Sequence, residues 1–328
     1  MSNIVMPHKV VFTDIDGTLI DIKTGEYGKK TNRLINALKK NGIPLVLSSA
    51  KTWAEQNKIR GDLGLTDPFI VENGGAIIIP KGYFPNIQLE DIPYPFKEVQ
   101  QKEIGEEGET EKNRRRRGDV KKAIATKKRV TEHMNPTMMI IIELGKHADE
   151  IRKKLLDIRK KYDVHFKGVS DVSLEKLSKI ASMSLGSAKR MAQRDYGETI
   201  LEIERYDFGR FMKYANENSL RIIHGGRFFD VTIGNDKGKA VNILRNLFKK
   251  KYCDDVLFFG IGDSANDASM LNFVDIPILV QRQDRSWFNY EGIIKKNNNN
   301  IRKVEGVGPK GWENAICDII LDLNKEYR

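Results

Sequence analysis

A chain of 328 residues with a hydrophobic fraction of 40% and 14 Phe can bury more than one core, which excludes a peptide-sized or wholly disordered protein. No apolar run approaches the ~18 residues of a membrane span, and two cysteines, Cys253 and Cys317, cannot build a disulfide framework or a metal site of their own. The net charge of +11 raises nucleic-acid binding, but residues 97–133 supply +4 of it and the remainder is too diffuse for a binding stripe, suiting instead the attraction of an anionic substrate. The run Val10-Val11-Phe12-Thr13 predicts a buried strand that delivers Asp14-Ile15-Asp16-Gly17-Thr18 at its end. A helix over 31–41 closes at Gly42, because glycine accepts the left-handed conformation. A strand over 44–47 leads into Ser48-Ser49-Ala50-Lys51-Thr52, a helix over 54–63, a strand over 69–71 and the turn Glu72-Asn73-Gly74-Gly75. Strands alternating with helices through short links predict right-handed crossovers and a parallel sheet.

From about residue 87 the pattern changes. Residues 97–133 are poor in apolar side chains, net −5 over 98–111 and net +9 over 112–130. Such a stretch cannot bury enough surface to offset its ordering entropy and predicts a flexible or partly helical insertion. Its block Arg114-Arg115-Arg116-Arg117 could engage RNA, but the acidic neighbour favours a solvated segment, so nucleic acid is not the expected partner. A second folded unit follows, with a strand over 138–144 and a helix over 148–162 that aligns Ile151, Leu155 and Ile158. Helical segments over 174–181 and 187–194, a strand over 199–203, a helix over 208–216 and paired strands within 220–233 complete it. The first pattern then resumes: a helix from Lys237, a strand over 256–259, the cluster Gly262-Asp263-Ser264-Ala265-Asn266-Asp267, a helix over 268–273, a strand over 276–280 and a helix over 312–323. The expected class is α/β, a core with a parallel sheet (1–86 and 234–328) interrupted by an α+β cap (87–233). Residues 1–9 carry no apolar signal core and the two thiols lack pairing context, which predicts a cytoplasmic protein with no membrane segment.

Two apolar strands that each end in carboxylates can meet at the carboxyl edge of one sheet, where open α/β sheets place their ligands. A calcium loop over the first cluster is excluded, because Gly25 stands where its closing Glu belongs. Carboxylates so placed suit Mg2+, which prefers oxygen ligands and keeps room for substrate phosphate. Phosphate-monoester hydrolysis needs a nucleophile, a proton donor for the leaving oxygen, and positive charge around the transferring group. Asp14 fits the nucleophile and Asp16 the acid and base, with Mg2+ held by Asp14, the main-chain carbonyl of Asp16, and Asp263. Ser49 and Lys237 fit the phosphoryl oxygens, Lys237 opening a helix after Asn235-Asp236. The five histidines show no pairing and read as structural.

These segments, in this order, resemble the haloacid-dehalogenase superfamily of phosphatases. Within it the chain is most similar to the mannosyl-3-phosphoglycerate phosphatases, through Ser48–Thr52, Val71–Ala76, Pro80–Pro85, Arg194–Thr199, Gly225–Phe228 and Gly234–Lys239. The resemblance implies a Rossmann-like core, a mobile αβ cap, Mg2+, a small sugar-phosphate substrate, and conversion of mannosyl-3-phosphoglycerate to mannosylglycerate. It implies Asp14 as nucleophile, Asp16 as acid/base, Asp263 as downstream metal ligand, and Asn266 and Asp267 orienting metal-bound water. It implies substrate contacts at Lys51, Asn73, Gly74, Glu198, Gly226 and Arg227, although Gly226 stands where many relatives carry serine. Glucosyl-3-phosphoglycerate and sucrose-phosphate phosphatases, a broad sugar phosphatase and a phosphomutase share the core chemistry. The charged insertion has no counterpart in the resemblance.

Overall fold

The computed structural model describes residues 7–85, 92–100, 138–225, 227–293 and 301–325. The first half of the core runs β1 (His8–Thr13), α1 (Thr31–Lys40), β2 (Leu45–Ser48), α2 (Trp53–Leu63), β3 (Phe69–Val71), β4 (Ala76–Pro80), β5 (Phe96–Gln100) and β6 (Met138–Glu143). A second unit follows as α3 (Ala148–Tyr162), β7 (Phe166–Gly168), α4 (Leu174–Ala181), α5 (Leu185–Met191), β8 (Glu198–Ile203), α6 (Phe208–Glu217), β9 (Arg221–Gly225) and β10 (Phe228–Thr232). The chain then returns through α7 (Lys237–Lys251), β11 (Val256–Gly262), α8 (Ala268–Leu271), β12 (Ile276–Gln281), β13 (Arg302–Val307) and α9 (Pro309–Lys325).

One nine-stranded sheet has the order β13-β12-β11-β1-β2-β3-β4-β6-β5. Its first six strands are parallel, and β4, β6 and β5 extend it by antiparallel pairing. Strand alternation divides the side chains of β1 between two cores. Val11 joins Leu34, Leu38 and Trp312 beneath α1 and α9, while Val10 and Phe12 join Val241, Leu244 and Phe248 beneath α7. The second sheet, β7-β8-β10-β9, is antiparallel and carries α3 and α6 on one face, with Ile151, Leu155 and Phe211 packed on Ile200 and Val231. Among the described residues no helix is long and apolar enough to cross a membrane.

Three expectations change. The strand expected to open the cap, β6, instead pairs with β4 in the large sheet. Its side chains enter both cores, Met139 and Ile141 on one face and Ile140 and Ile142 on the other, as a strand covered on two sides requires. The large sheet therefore continues well past residue 86, and the crossing to the second sheet comes after Glu143 rather than at 87. Residues 97–100, expected within the flexible insertion, lie in β5 on the sheet's edge, where the exposed pattern of Phe96–Gln100 resembles a polar loop. Residues 101–133, with the Arg114–Arg117 block, lie outside the described residues.

Candidate active site

β1 lies between β11 and β2, with Thr13 level with Ile261 on one side and Leu47 on the other. This register brings Asp14, Asp263 and Ser49 to the ends of three adjacent parallel strands. The Asp14 N–H donates to the Ile261 carbonyl at 2.9 Å, and Trp312 Nε1 donates to Thr13 Oγ1 at 3.1 Å, fixing the strand end from below. Gly17 has φ +83°, and a Cβ there would stand 2.9 Å from Asp263 Oδ2, so glycine lets the two acidic loops close together. Thr18 Oγ1 donates to Asp263 Oδ1 at 3.2 Å, and Arg282 Nε to the Asp263 carbonyl at 3.0 Å. Asp14, Asp263 and Asp267 each bring a carboxylate oxygen within 4.8 Å of the other two.

Lys237 enters this cluster as the first residue of α7, its side chain only 1% exposed. Its Nζ lies 2.8 Å from Asp14 Oδ1 and 2.9 Å from Asp267 Oδ1. Asp236 caps the helix through the N–H groups of Gly238 and Lys239. Gly74 makes the approach possible: at φ +86° a Cβ would meet the backbone of Asp236 and Lys237 at 2.2–2.5 Å. Gly74 thus supports the site through its backbone, and any substrate contact there would be through main chain.

Two buried carboxylates, Asp14 and Asp267, and the half-buried Asp263 face one ammonium, and their titration records the imbalance. Burial, then the charge of Asp267, pushes Asp14 well above the carboxylate range. The same two causes raise Asp263 to about 7. Burial works against the charge of Lys237, but Asp14 and Asp267 outweigh it and hold the ammonium above its ordinary value. An oxygen-only cluster with surplus negative charge fits a hard divalent cation. Asp267 is already engaged, Oδ1 by Lys237 and Oδ2 by the N–H groups of Asp263 and Ser264 and the Ser264 hydroxyl, each at 3.1 Å. Its remaining capacity is small, which leaves Asp14 and Asp263 as the better donors.

The other expected residues separate into near and far. Ser49, buried at the end of β2, receives the Lys51 N–H at 3.3 Å. The Asp16 side chain stands apart from the three-carboxylate cluster and pairs with Lys51 at 3.0 Å. Asn266 donates to Asn73 Oδ1 at 2.9 Å, tying the downstream acidic loop to the turn after β3. Glu198 is not brought to the site. It stands opposite Val231 in the β8–β10 ladder and so shares the helix-covered face, where Arg152 Nε donates to it at 2.8 Å. Strand phase, not residue type, decides this. Arg227 is exposed with its guanidinium 5.2 Å from the Phe228 ring centroid, and Gly226 lies outside the described residues.

Sequence reasoning missed Glu72, Thr199, Arg194 and Asp230, which join the second sheet to the core. Glu72 accepts the N–H groups of Asp195 at 2.8 Å and Tyr196 at 3.1 Å. Asp230 accepts from Asn73 Nδ2 at 3.1 Å and from Thr199 Oγ1 at 2.7 Å, and Arg194 Nη2 lies 3.4 Å from it. The signal was the alternation of β10, which puts Asp230 on the face opposite Val231.

The family profile of the haloacid dehalogenase-like hydrolases matches residues 11–185. The chain is 34% identical to the glucosyl-3-phosphoglycerate/mannosyl-3-phosphoglycerate phosphatase of Methanococcoides burtonii, over 95% of its own length and 97% of that protein's. It is 31% identical to the mannosyl-3-phosphoglycerate phosphatase of Pyrococcus furiosus, over 83% and 90% of the two chains. Among solved structures, a Thermoplasma acidophilum protein superposes with a TM-score of 0.57 at 16% identity, covering 96% of this chain and 99% of that one. A haloacid dehalogenase-like hydrolase from Bacteroides thetaiotaomicron superposes with a TM-score of 0.55 at 13% identity, covering 96% and 99%, which is a likeness of fold alone. With its strand-end carboxylates, buried lysine and parallel sheet, this chain belongs to the haloacid dehalogenase-like hydrolases.

Proposed function

We propose that the protein is a cytoplasmic Mg2+-dependent phosphatase that converts mannosyl-3-phosphoglycerate to mannosylglycerate and phosphate, a reaction of compatible-solute synthesis. The observation that carries this is the convergence of Asp14, Asp263 and Lys237 in a chain similar along nearly its whole length to an enzyme named for that substrate. A second substrate, glucosyl-3-phosphoglycerate, is favoured by the double name of the Methanococcoides burtonii enzyme.

In this reading Asp14 attacks phosphorus, forming an aspartyl-phosphate as the bond from phosphorus to the glycerate oxygen breaks. Asp16 gives its proton to that oxygen, then takes one from the water that cleaves the aspartyl-phosphate and frees inorganic phosphate. Lys51, paired with Asp16 before substrate arrives, turns to the anionic substrate and leaves Asp16 to its proton transfers. Ser49 and Lys237 hold the phosphoryl oxygens. Mg2+ held by Asp14, Asp263 and the main-chain carbonyl of Asp16 would supply positive charge against those oxygens, with Asp267 and Asn266 orienting the ligands around it. Arg227, whose planar fork suits a carboxylate, is proposed to meet the glycerate end.

Phosphate release from a panel of phosphorylated sugars tests the assignment. The glycerate conjugates are expected to exceed sucrose 6-phosphate by about 100-fold or more in kcat/KM, since a site built for a carboxylate rejects ligands lacking it. Sucrose 6-phosphate as the better substrate would overturn the choice. Transfer of phosphate between sugar hydroxyls with little release would point to a mutase.

Mg2+ binding has its own expected pH dependence. With Asp263 raised to about 7 and Asp14 also held well above the carboxylate range, metal binding at pH 6 displaces protons, and at pH 8 Asp263 has little left to give. Calorimetry in two buffers of different ionisation enthalpy should find at least about one proton released at pH 6, and fewer at pH 8. No release at pH 6 would contradict the ligand assignment. In the metal-free protein the same group contributes stability fully below its unfolded pKa of about 3.9. That contribution is lost as pH rises through about 7.

A further inference from the structure

We infer that Asp230 and Asn73 form a positioning pair through which the second sheet sets the polarity of Asn266 in the acidic loop; this rests on the reading of that loop given above. Asp230, 5% exposed on β10, can only accept hydrogen bonds. It takes the Thr199 hydroxyl on Oδ1 at 2.7 Å and the Asn73 amide on Oδ2 at 3.1 Å. Asn73, 2% exposed, must therefore turn its NH2 toward Asp230 and its oxygen toward Asn266, and that oxygen receives Asn266 Nδ2 at 2.9 Å. Asn266 then has its NH2 committed and its oxygen as the remaining polar end. A carboxylate on the second sheet thus dictates, through one asparagine, which way the amide of the acidic loop faces.

The backbone at Asn73 supports this role independently. Glu72 and Asn73 have φ of +47° and +59°, a strained left-handed pair without glycine, which persists only where the surroundings hold it. The surroundings here are the phosphate-binding loop itself. The Asn73 N–H donates to the Ser49 carbonyl at 2.9 Å and the Glu72 N–H to the Lys51 carbonyl at 3.0 Å. One residue is thereby bound to the loop after β2, the loop after β11 and the second sheet at once. Its two amide ends serve as links, so Asn73 acts by placing Asn266 and not by contacting substrate.

Exchanging the polarity of the pair tests it. Asp230→Asn keeps a single acceptor oxygen, which Thr199 and the donor-only Arg194 claim at the Oδ1 position, so its NH2 is turned toward the NH2 of Asn73; Asn73→Asp sets carboxylate against carboxylate. Together, the two changes restore a donor–acceptor pair: Asn at 230 donates to Asp at 73, which accepts from Asn266 as before. Asp tolerates the left-handed backbone that position 73 demands. Each single variant is expected to lower kcat about 10-fold, the lower end of what outer partners of a metal site cost, with KM little changed. Each should also speed amide hydrogen exchange over 263–267 in the substrate-free protein by about 10-fold. The double variant should recover both. Its melting temperature is not the readout, because Arg194 still loses its carboxylate neighbour at 230. Asn266→Asp breaks the same chain at its far end, should give the same exchange change, and stands in if a variant at 73 or 230 fails to fold. A double variant no better than the worse single, or single variants whose 263–267 exchange matches the wild type, would overturn the inference. The exchange arm needs no substrate, so it stands apart from failure of the phosphatase assignment.

Discussion

Asp14→Asn is expected to lower phosphate release by about 10⁴-fold or more, the order of loss when a covalent nucleophile is removed. The fold should survive, because the asparagine oxygen can still accept from Lys237 Nζ, which the aspartate receives at 2.8 Å. The wild-type cluster sets Asp14, Asp263 and Asp267 against Lys237 as the ammonium bonded within it, and burial already raises Asp14 and Asp263 against ionisation. Removing one carboxylate relieves that repulsion, so the metal-free variant should melt no lower than the wild type, and higher at pH 8. Phosphate release and thermal melting in chelator measure the two halves. A variant that keeps turnover within about 10-fold of wild type would remove Asp14 as nucleophile. One that is inactive and also much less stable would make Asp14 a structural residue.

The part of this site legible in the sequence was the part carried by buried strands. Val10–Phe12 and Val256–Phe259 are unbroken apolar runs, and a strand covered on both faces has to look that way, so the carboxylates after each stood out. Lys237 was legible because Asn235-Asp236 announces a capped helix beginning at it. Edge strands carry no such signal. β5 and β13 read FKEVQ and RKVEGV, half in solvent, and neither was distinguished from loop. The placement of Glu198 was hidden for a related reason: its type suits a ligand, but only the pairing with Val231 reveals that it faces α3. Asn73 and Asp230 are 157 residues apart, and nothing local to either announces the other. The left-handed pair at Glu72 and Asn73 was equally hidden, because non-glycine residues adopt that conformation only when tertiary contacts hold them there.

Lys237→Met should produce the opposite stability change from Asp14→Asn. The substitution keeps the volume of the chain but leaves Asp14 and Asp267 buried without their ammonium, a loss of about 3–5 kcal/mol for a buried pair stripped of one partner. Turnover should fall at least about 10²-fold, as when one donor to a developing anion is removed. The destabilisation has a direction in pH. Without the ammonium, Asp14 and Asp263 move still further above the carboxylate range, so the folded state holds protons that the unfolded state has released. The variant should be closest to wild type near pH 5 and furthest from it at pH 8. Mg2+ should restore part of the loss at pH 8, because a cation bound among the carboxylates replaces some of the missing charge. Chemical denaturation in chelator and in Mg2+, at both pH values, measures all of these. A Lys237→Met protein as stable as wild type in chelator at pH 8 would mean that the carboxylates do not share the repulsion argued here. Since one variant removes an anion and the other the cation of the same pair, packing loss alone predicts a fall in both. Only an excess of negative charge predicts that one rises while the other falls.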